Sequence, residues 1–124
     1  MKELLLVRGG PPDAVFVASD TMASGALQAL RDSGVSVPDE MAIIGFDGLE
    51  ESTVSRPILS TVAQPIPDLG RYAVKMLVEL IDHPERAPLQ TLLPTHLVLR
   101  RSCGCEADPA AVIIQQQEGG VVKN

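Results

Sequence analysis

Two short apolar stretches of this sequence end in polar residues whose side chains could bind a small ligand. Residues 14–18 (AVFVA) are followed by Ser19 and Asp20, and residues 41–46 (MAIIGF) are followed by Asp47. In open parallel sheets, ligands bind at the carboxyl ends of the strands. If these stretches are neighbouring strands, Ser19 and Asp47 face the same crevice. A carboxylate there can accept two hydrogen bonds from vicinal hydroxyls or ring amines of a ligand.

Asp20 and Asp47 precede different patterns along the chain. Asp20 comes directly before a helical pattern, where an acidic side chain can accept hydrogen bonds from the free amides of the first turn. We therefore predict that Asp20 caps a helix. Asp47 is followed by Gly48 and by no long helical pattern, so a capping role and a ligand contact both remain open for it.

The cysteines and histidines form no recognisable metal motif. Cys103 and Cys105 are separated by one glycine, so a bridge between them would close a strained ring. Two thiolates are also only half of a structural zinc site, and His83 and His96 lie at no matching spacing. We predict two reduced thiols and no bound metal or cofactor.

The patterns of common enzyme classes are absent as well. Ser19 is not in the G-x-S-x-G context of a nucleophile elbow. Residues 45–48 (GFDG) are followed by neither a helix start nor a lysine, as a phosphate-binding loop requires. Neither histidine stands near a serine or cysteine in a catalytic arrangement. The sequence therefore predicts a ligand-binding module and not an enzyme.

Composition narrows the class of protein further. The 124 residues, 45% of them apolar, suit one globular domain. The net charge of −6, with no basic cluster, argues against direct contact with nucleic acid. No run approaches the ~20 apolar residues of a membrane span, and the first residues do not form a signal-peptide core. A soluble, cytoplasmic protein without membrane contact is expected.

The spacing of apolar residues predicts the elements that position these side chains. Residues 14–18 and 41–46 are continuous apolar runs, typical of strands covered on both faces. Between them, residues 21–33 have one apolar helical face, formed by Met22, Ala23, Ala26, Leu27 and Leu30. Gly34 comes next, where a left-handed residue ends a helix. Strand, helix and strand with short links indicate a right-handed parallel crossover, and therefore an α/β fold with a parallel sheet.

The second half of the chain predicts weaker elements and one long helix. We expect a helical turn within residues 49–54, an extended segment at 60–64 and a strand near a sheet edge at 93–99. The long helix begins near Pro67 and ends before Pro84. One face of it is apolar, formed by Leu69, Ala73, Met76, Leu77, Leu80 and Ile81.

Three segments in this order resemble one known family. They are PDAVFVASDTMASGALQALRDSGVSVPDEMAIIGFDG, then PILSTVAQPIPDLGRYAVKMLVELI, then LLPTHLVLRRSCG. Together they are similar to the carboxyl-terminal half of the effector-binding domain in lactose-repressor-type (LacI/GalR) transcription regulators. The resemblance assigns residues 12–105 to that domain and leaves 106–124 as a tail or linker. It implies the type I periplasmic-binding-protein-like fold, in which an effector binds between two α/β lobes.

The same resemblance implies roles for individual residues. Asp47 matches the family's aspartate after the G-F/Y motif, and would bind effector hydroxyls or a polar ring edge. Ser19 stands where many members carry Asn, and Gln64 matches the polar residue of the T-x-x-Q-P crossing between the lobes. Ile66 falls where some sugar-binding members have an aromatic ring, so a stacking surface is missing. A sugar is the first expected effector and a purine the second.

The resemblance also implies partners and missing parts. Family members form homodimers through this lobe and bind DNA through an amino-terminal helix-turn-helix, which this sequence does not contain. The helix after Pro67 would belong to the second lobe, whose sheet is missing, so the lobe is incomplete. Residues 4–8 look like the end of a helix, and we expect the chain to be a fragment of a longer protein.

A second context for the same module remains open. LacI-like sensor halves also precede signalling output domains, such as histidine kinases or diguanylate cyclases. The SCGC ending and the Gln-rich continuation would suit a linker into such a domain. The regulator is the first expectation, because it is the commoner setting of these motifs.

Overall fold

One mixed sheet organises the part of the chain that the structure, a computed structural model, describes: residues 12–87, 90–105 and 112–115. In chain order its elements are β1 (Ala14–Phe16), α1 (Asp20–Asp32), β2 (Ala42–Asp47), α2 (Glu51–Val54), β3 (Ser60–Ala63), α3 (Ile66–Asp82), β4 (His96–Leu99), a 3-10 turn (Arg101–Cys103) and β5 (Val112–Gln115). The helix end predicted within residues 4–8 lies outside the described residues.

The strands lie in the order β1-β2-β3-β4-β5, and the first three are parallel. β4 pairs antiparallel with β3, and β5 antiparallel with β4. His96, the first residue of β4, pairs with Ala63, the last residue of β3. The chain therefore leaves the sheet at the end of β3, forms α3, and re-enters the sheet beside that same end of β3 as the start of β4. The predicted α/β fold is confirmed, although this return makes the sheet mixed and not wholly parallel.

Two strands differ from their predicted surroundings. β1 lies at the edge of the sheet and Phe16 is 61% exposed, so the prediction of a strand covered on both faces is wrong for β1. β4, predicted near an edge, lies between β3 and β5. β5 lies within residues 106–124, which were expected to be a tail or linker. The remainder of that segment is outside the described residues, so its assignment stays a prediction.

The core lies between α1 and the sheet. Ala23, Ala26, Leu27 and Leu30 of α1 are buried at the helical spacing that the sequence predicts. They pack in one apolar cluster with residues from the sheet side, namely Val17, Met41, Ile43 and Leu59. Met22, which was also expected on this face, is 62% exposed. Gly34 has a φ of 73° and ends the helix in the predicted left-handed conformation.

The long helix α3 makes no comparable core among the described residues. It begins at Ile66, with Pro67 in its first turn, and ends before Pro84, as the sequence predicts. No residue of α3 is buried. Along its predicted apolar face, Leu77 is 59% exposed and Ile81 is 68% exposed. This lack of a partner agrees with the expectation that α3 belongs to a second lobe. Within the described ranges, no helix combines the length and hydropathy needed to cross a membrane.

Candidate functional site

Asp47 and Gln64 meet at the carboxyl edge of the parallel strands. Asp47 is the last residue of β2, and its partner in β3 is Ala63. The Gln64 side-chain amide donates to Asp47 Oδ1 over 2.7 Å, and the Gln64 backbone amide donates to the Asp47 carbonyl over 3.0 Å. Gln64 therefore orients the carboxylate. Asp47 Oδ2 accepts no hydrogen bond from the described residues, so it is available to a ligand.

The backbone of Asp47 is strained. Its φ is 107°, and among the described residues it is the one non-glycine residue with a positive φ. Such a conformation costs about 1–3 kcal/mol and occurs most often at binding and catalytic sites. Gly48 continues the turn with a φ of 78°. Strain of this kind at the end of β2 supports a functional role for Asp47 over a purely local one.

Ser19 caps α1, and the prediction that Asp20 is the cap is wrong. Ser19 has an extended backbone and its hydroxyl accepts a hydrogen bond from the Met22 amide over 3.2 Å. Asp20 is the first residue inside the helix, so it lies one position too late for the cap. As the cap, the Ser19 hydroxyl acts as an acceptor and still holds a proton that it can donate. A ligand contact by Ser19 stays a prediction.

Asp20 instead supports the loop after Asp47. Its side chain is fully buried. Asp20 Oδ2 accepts hydrogen bonds from the Gly48 amide over 2.9 Å and the Leu49 amide over 2.8 Å. Its Oδ1 accepts one from the Thr61 hydroxyl over 2.7 Å. One carboxylate from α1 therefore fixes both the turn after β2 and the middle of β3, directly behind the candidate ligand contact.

Sequence reasoning missed this role of Asp20, although Gly45 carries a signal for it. A glycine inside an apolar strand often marks a close approach by another group. A Cβ atom at Gly45 would overlap the Asp20 carboxylate and touch Leu59. Because Gly45 has no side chain, the Asp20 carboxylate can occupy this space.

A second polar cluster lies around Arg100. The Arg100 guanidinium donates to the Ser52 hydroxyl over 2.7 Å and to the Leu59 carbonyl over 2.8 Å. Burial lowers the pKa of Arg100 from its ordinary value, and the nearby charge of Asp20 acts in the opposite direction. These bonds join α2 to the end of β4. Among the described residues no cluster of three potential metal ligands occurs.

Comparisons of the sequence and the structure with known proteins identify the family of this chain. The family of the periplasmic binding protein-like domain matches residues 1–103. The transcriptional repressor MelR of Bacillus subtilis is 42% identical over 100 residues, covering 81% of this chain and 29% of MelR. A solved complex of the regulator CelR with cellobiose is 38% identical with a TM-score of 0.76, covering 82% of this chain and 31% of that one. A LacI family regulator from Enterococcus faecium with bound ribose is 31% identical with a TM-score of 0.71, covering 81% of this chain and 38% of that one.

The match to residues 1–103 takes in most of the chain, so the chain belongs to the periplasmic binding protein-like domain family. Within that family it corresponds to the carboxyl-terminal part of the effector-binding domain of LacI-type transcription regulators. The chain therefore spans only about three tenths of the length of MelR.

Proposed function

We propose that this chain is part of the effector-binding domain of a transcription regulator whose binding to DNA is controlled by a sugar. The observation that carries the proposal is the Asp47–Gln64 pair at the carboxyl edge of the parallel strands. Gln64 holds Asp47 Oδ1, which leaves Asp47 Oδ2 to accept from a ligand hydroxyl. Crevices at this edge are where ligands bind in open α/β sheets.

The related proteins favour a sugar over a purine. Cellobiose is bound in the CelR complex and ribose in the Enterococcus faecium regulator. Both ligands present vicinal hydroxyls, which a carboxylate can bind with two directional hydrogen bonds.

The regulator is also favoured over the signalling sensor. MelR, CelR and the Enterococcus faecium protein are all transcription regulators. We therefore propose a cytoplasmic, non-enzymatic protein that contacts DNA through a helix-turn-helix domain outside this sequence. The net charge of −6 agrees with a sensor part that does not itself bind DNA.

Calorimetric titration of the intact regulator tests this function. Monosaccharides and disaccharides should be titrated separately, with a purine base as the matched comparison. A sugar that binds saturably and changes the affinity for operator DNA is the expected result. Binding of the purine alone would overturn the sugar assignment, and turnover of any sugar would overturn the non-enzymatic role.

We further propose that α1 and the loop after Asp47 lie near a homodimer interface. Val54 of α2 is 72% exposed, and an open groove between α1 and α2 is lined by Leu27, Arg31 and Val54 among others. Leu49, in the same loop, is half-buried. A two-fold axis near this surface would pair the same residues of both copies.

Sedimentation of the intact regulator at micromolar concentration should give a dimer. Val54→Glu should shift the equilibrium towards the monomer, since it places a charge on each side of the axis. Exposed Asp13, which does not line the groove, provides the control, and Asp13→Lys should leave the dimer intact. A wild-type monomer under these conditions would contradict the proposed interface.

A further inference from the structure

The two cysteines after β4 lie next to each other in the fold. Cys103 Sγ is 3.0 Å from Cys105 Sγ and 3.2 Å from the Arg100 carbonyl oxygen. Both cysteines are free and half-buried. A disulfide requires a sulfur–sulfur distance of about 2.05 Å, so the two sulfurs need to approach by only about 1 Å. The pair is therefore close to bonding distance and open to small reagents.

The position of Cys103 is set by its buried neighbour. The Ser102 hydroxyl donates to the Ile43 carbonyl over 2.7 Å and accepts from the Ser60 amide over 2.8 Å. The Ser102 amide donates to the Ile58 carbonyl over 3.0 Å. These three bonds attach the 3-10 turn to the amino ends of β2 and β3. Cys103 is thus held by the sheet, at the end of the strands opposite Asp47.

Gly104 brings Cys105 back beside Cys103. Its φ is 81°, and its amide donates to the Arg101 carbonyl over 3.0 Å. A residue with a side chain would rarely adopt this left-handed conformation. The tight turn places the two thiols on the same side of the chain. Their proximity is therefore a consequence of the fold as well as of their spacing.

We propose that Cys103 and Cys105 form a reversible oxidation site that a hydroperoxide converts into an intramolecular disulfide. The thiolate of Cys103 attacks the peroxide O–O bond, giving a sulfenic acid on Cys103 and hydroxide when the oxidant is hydrogen peroxide. The Cys105 thiol then attacks the sulfenic sulfur. A disulfide forms, the S–OH bond breaks and water leaves. A dithiol reductant then reduces the disulfide by thiol–disulfide exchange, which restores both thiols and oxidises the reductant to its own disulfide.

The surroundings of the two sulfurs assign them different roles. Burial raises the pKa of Cys103, but hydrogen bonds with the side chains of Ser60 and Cys105 and with the backbone of Cys105 and Arg100 together outweigh it and leave that pKa below its ordinary value. The hydrogen bond with Cys103 raises the pKa of Cys105. A thiolate is the nucleophile in such reactions, so Cys103 attacks first and Cys105 resolves.

A metal explains this pair less well than oxidation does. A structural zinc site needs four ligands, and the described residues hold no cluster of three. The strain expected of a ring closed between residues two apart argues against a permanent bridge. It suits a reversible one, because strained and exposed disulfides are the labile and regulatory ones.

Mass spectrometry of the full 124-residue chain tests the proposal. The reduced chain is treated with hydrogen peroxide, free thiols are alkylated, and tryptic cleavage after Arg101 leaves both cysteines in one peptide, residues 102–123. We expect this peptide to lose two hydrogen atoms, to resist alkylation and to recover both thiols with dithiothreitol. Added oxygen without that loss, or a disulfide between two chains, would overturn the proposal.

Two comparisons test the role of the fold and the separate roles of the two cysteines. Disulfide formation should be several-fold faster in the folded chain than in urea, and equal rates would show that the fold plays no part. Cys105→Ser should accumulate sulfenic acid on Cys103, whereas Cys103→Ser should react several-fold more slowly. Equal rates in these two variants would overturn the role of Cys103.

Gly104→Ala provides a variant that keeps both thiols. The nearest atom to an added Cβ is Pro38 Cβ at 3.9 Å, so the methyl group has room but the positive φ is strained. We expect several-fold slower disulfide formation and a modestly lower melting temperature, because alanine at a positive φ is destabilising. An unchanged rate would show that the left-handed turn does not position the pair.

Discussion

Replacing Asp47 by alanine in the intact regulator should weaken sugar binding by about ten- to a hundredfold, since a charged hydrogen bond contributes roughly 1.5–3 kcal/mol. The reason is that Asp47 Oδ1 is held by Gln64 over 2.7 Å, which leaves Oδ2 to accept from a ligand hydroxyl in the proposed site. Calorimetry with the cognate sugar measures the effect. Unchanged affinity would remove Asp47 from the site.

A second substitution at the same position separates binding from stability. Asp47 has a φ of 107°, and glycine adopts positive φ values without steric cost. Asp47→Gly relieves a strain of about 1–3 kcal/mol and loses the hydrogen bond from Gln64, which contributes about 0.5–1.5 kcal/mol. The free energy of unfolding should therefore stay the same or rise by up to about 1 kcal/mol, while sugar binding still weakens. Exposed Asp13 is the matched control, and Asp13→Ala should change neither quantity. Loss of stability in Asp47→Gly would show that the carboxylate is mainly a structural group.

Asp20→Ala should lower the free energy of unfolding of the chain by about 3 kcal/mol, because an unsatisfied buried donor costs about 1–3 kcal/mol. The substitution leaves the Gly48 and Leu49 amides and the Thr61 hydroxyl without their acceptor. Urea denaturation followed by circular dichroism measures the loss. Asp13→Ala should stay within about 0.5 kcal/mol of the wild type, as surface substitutions usually do.

The nearly isosteric variant Asp20→Asn makes this test more specific. The remaining oxygen can still accept from the Gly48 and Leu49 amides. The amide nitrogen then faces the Thr61 hydroxyl, which has to turn to accept, and the second buried N–H of the new amide lies among donors that suit an acceptor-only carboxylate. We expect a loss of stability between those of Asp13→Ala and Asp20→Ala. In the intact regulator, Asp20→Asn should also weaken sugar binding, because the turn behind Asp47 loses support. Wild-type stability in both Asp20 variants would contradict the role assigned to this carboxylate.

The sequence by itself determined the α/β class, the bounds of the main helices and the edge of the sheet where the polar residues gather. These features result from local physics. Helical and strand periodicities differ, Gly34 and Pro84 stop helices for steric reasons, and parallel strands bring their carboxyl ends to one edge. The family resemblance that the sequence carries was confirmed by the comparisons, whereas Ser19, Asp47 and Gln64 as effector contacts stay predictions.

Only the tertiary structure decided that Ser19 caps α1 and that Asp20 supports the loop after β2. Ser19 and Asp20 are both good caps by residue type, and the choice depends on the residue at which the helix begins. The Asp20 hydrogen bonds to Gly48, Leu49 and Thr61 join residues 28 to 41 positions apart in the chain, so no local pattern specifies them. The exposure of β1 and the position of β4 between two strands likewise depend on strand order, which is a property of the whole sheet. The proximity of Cys103 and Cys105 depends on their spacing in the sequence and also on the left-handed turn at Gly104 and the anchoring of Ser102 by distant strands, so the folded chain decides it in part.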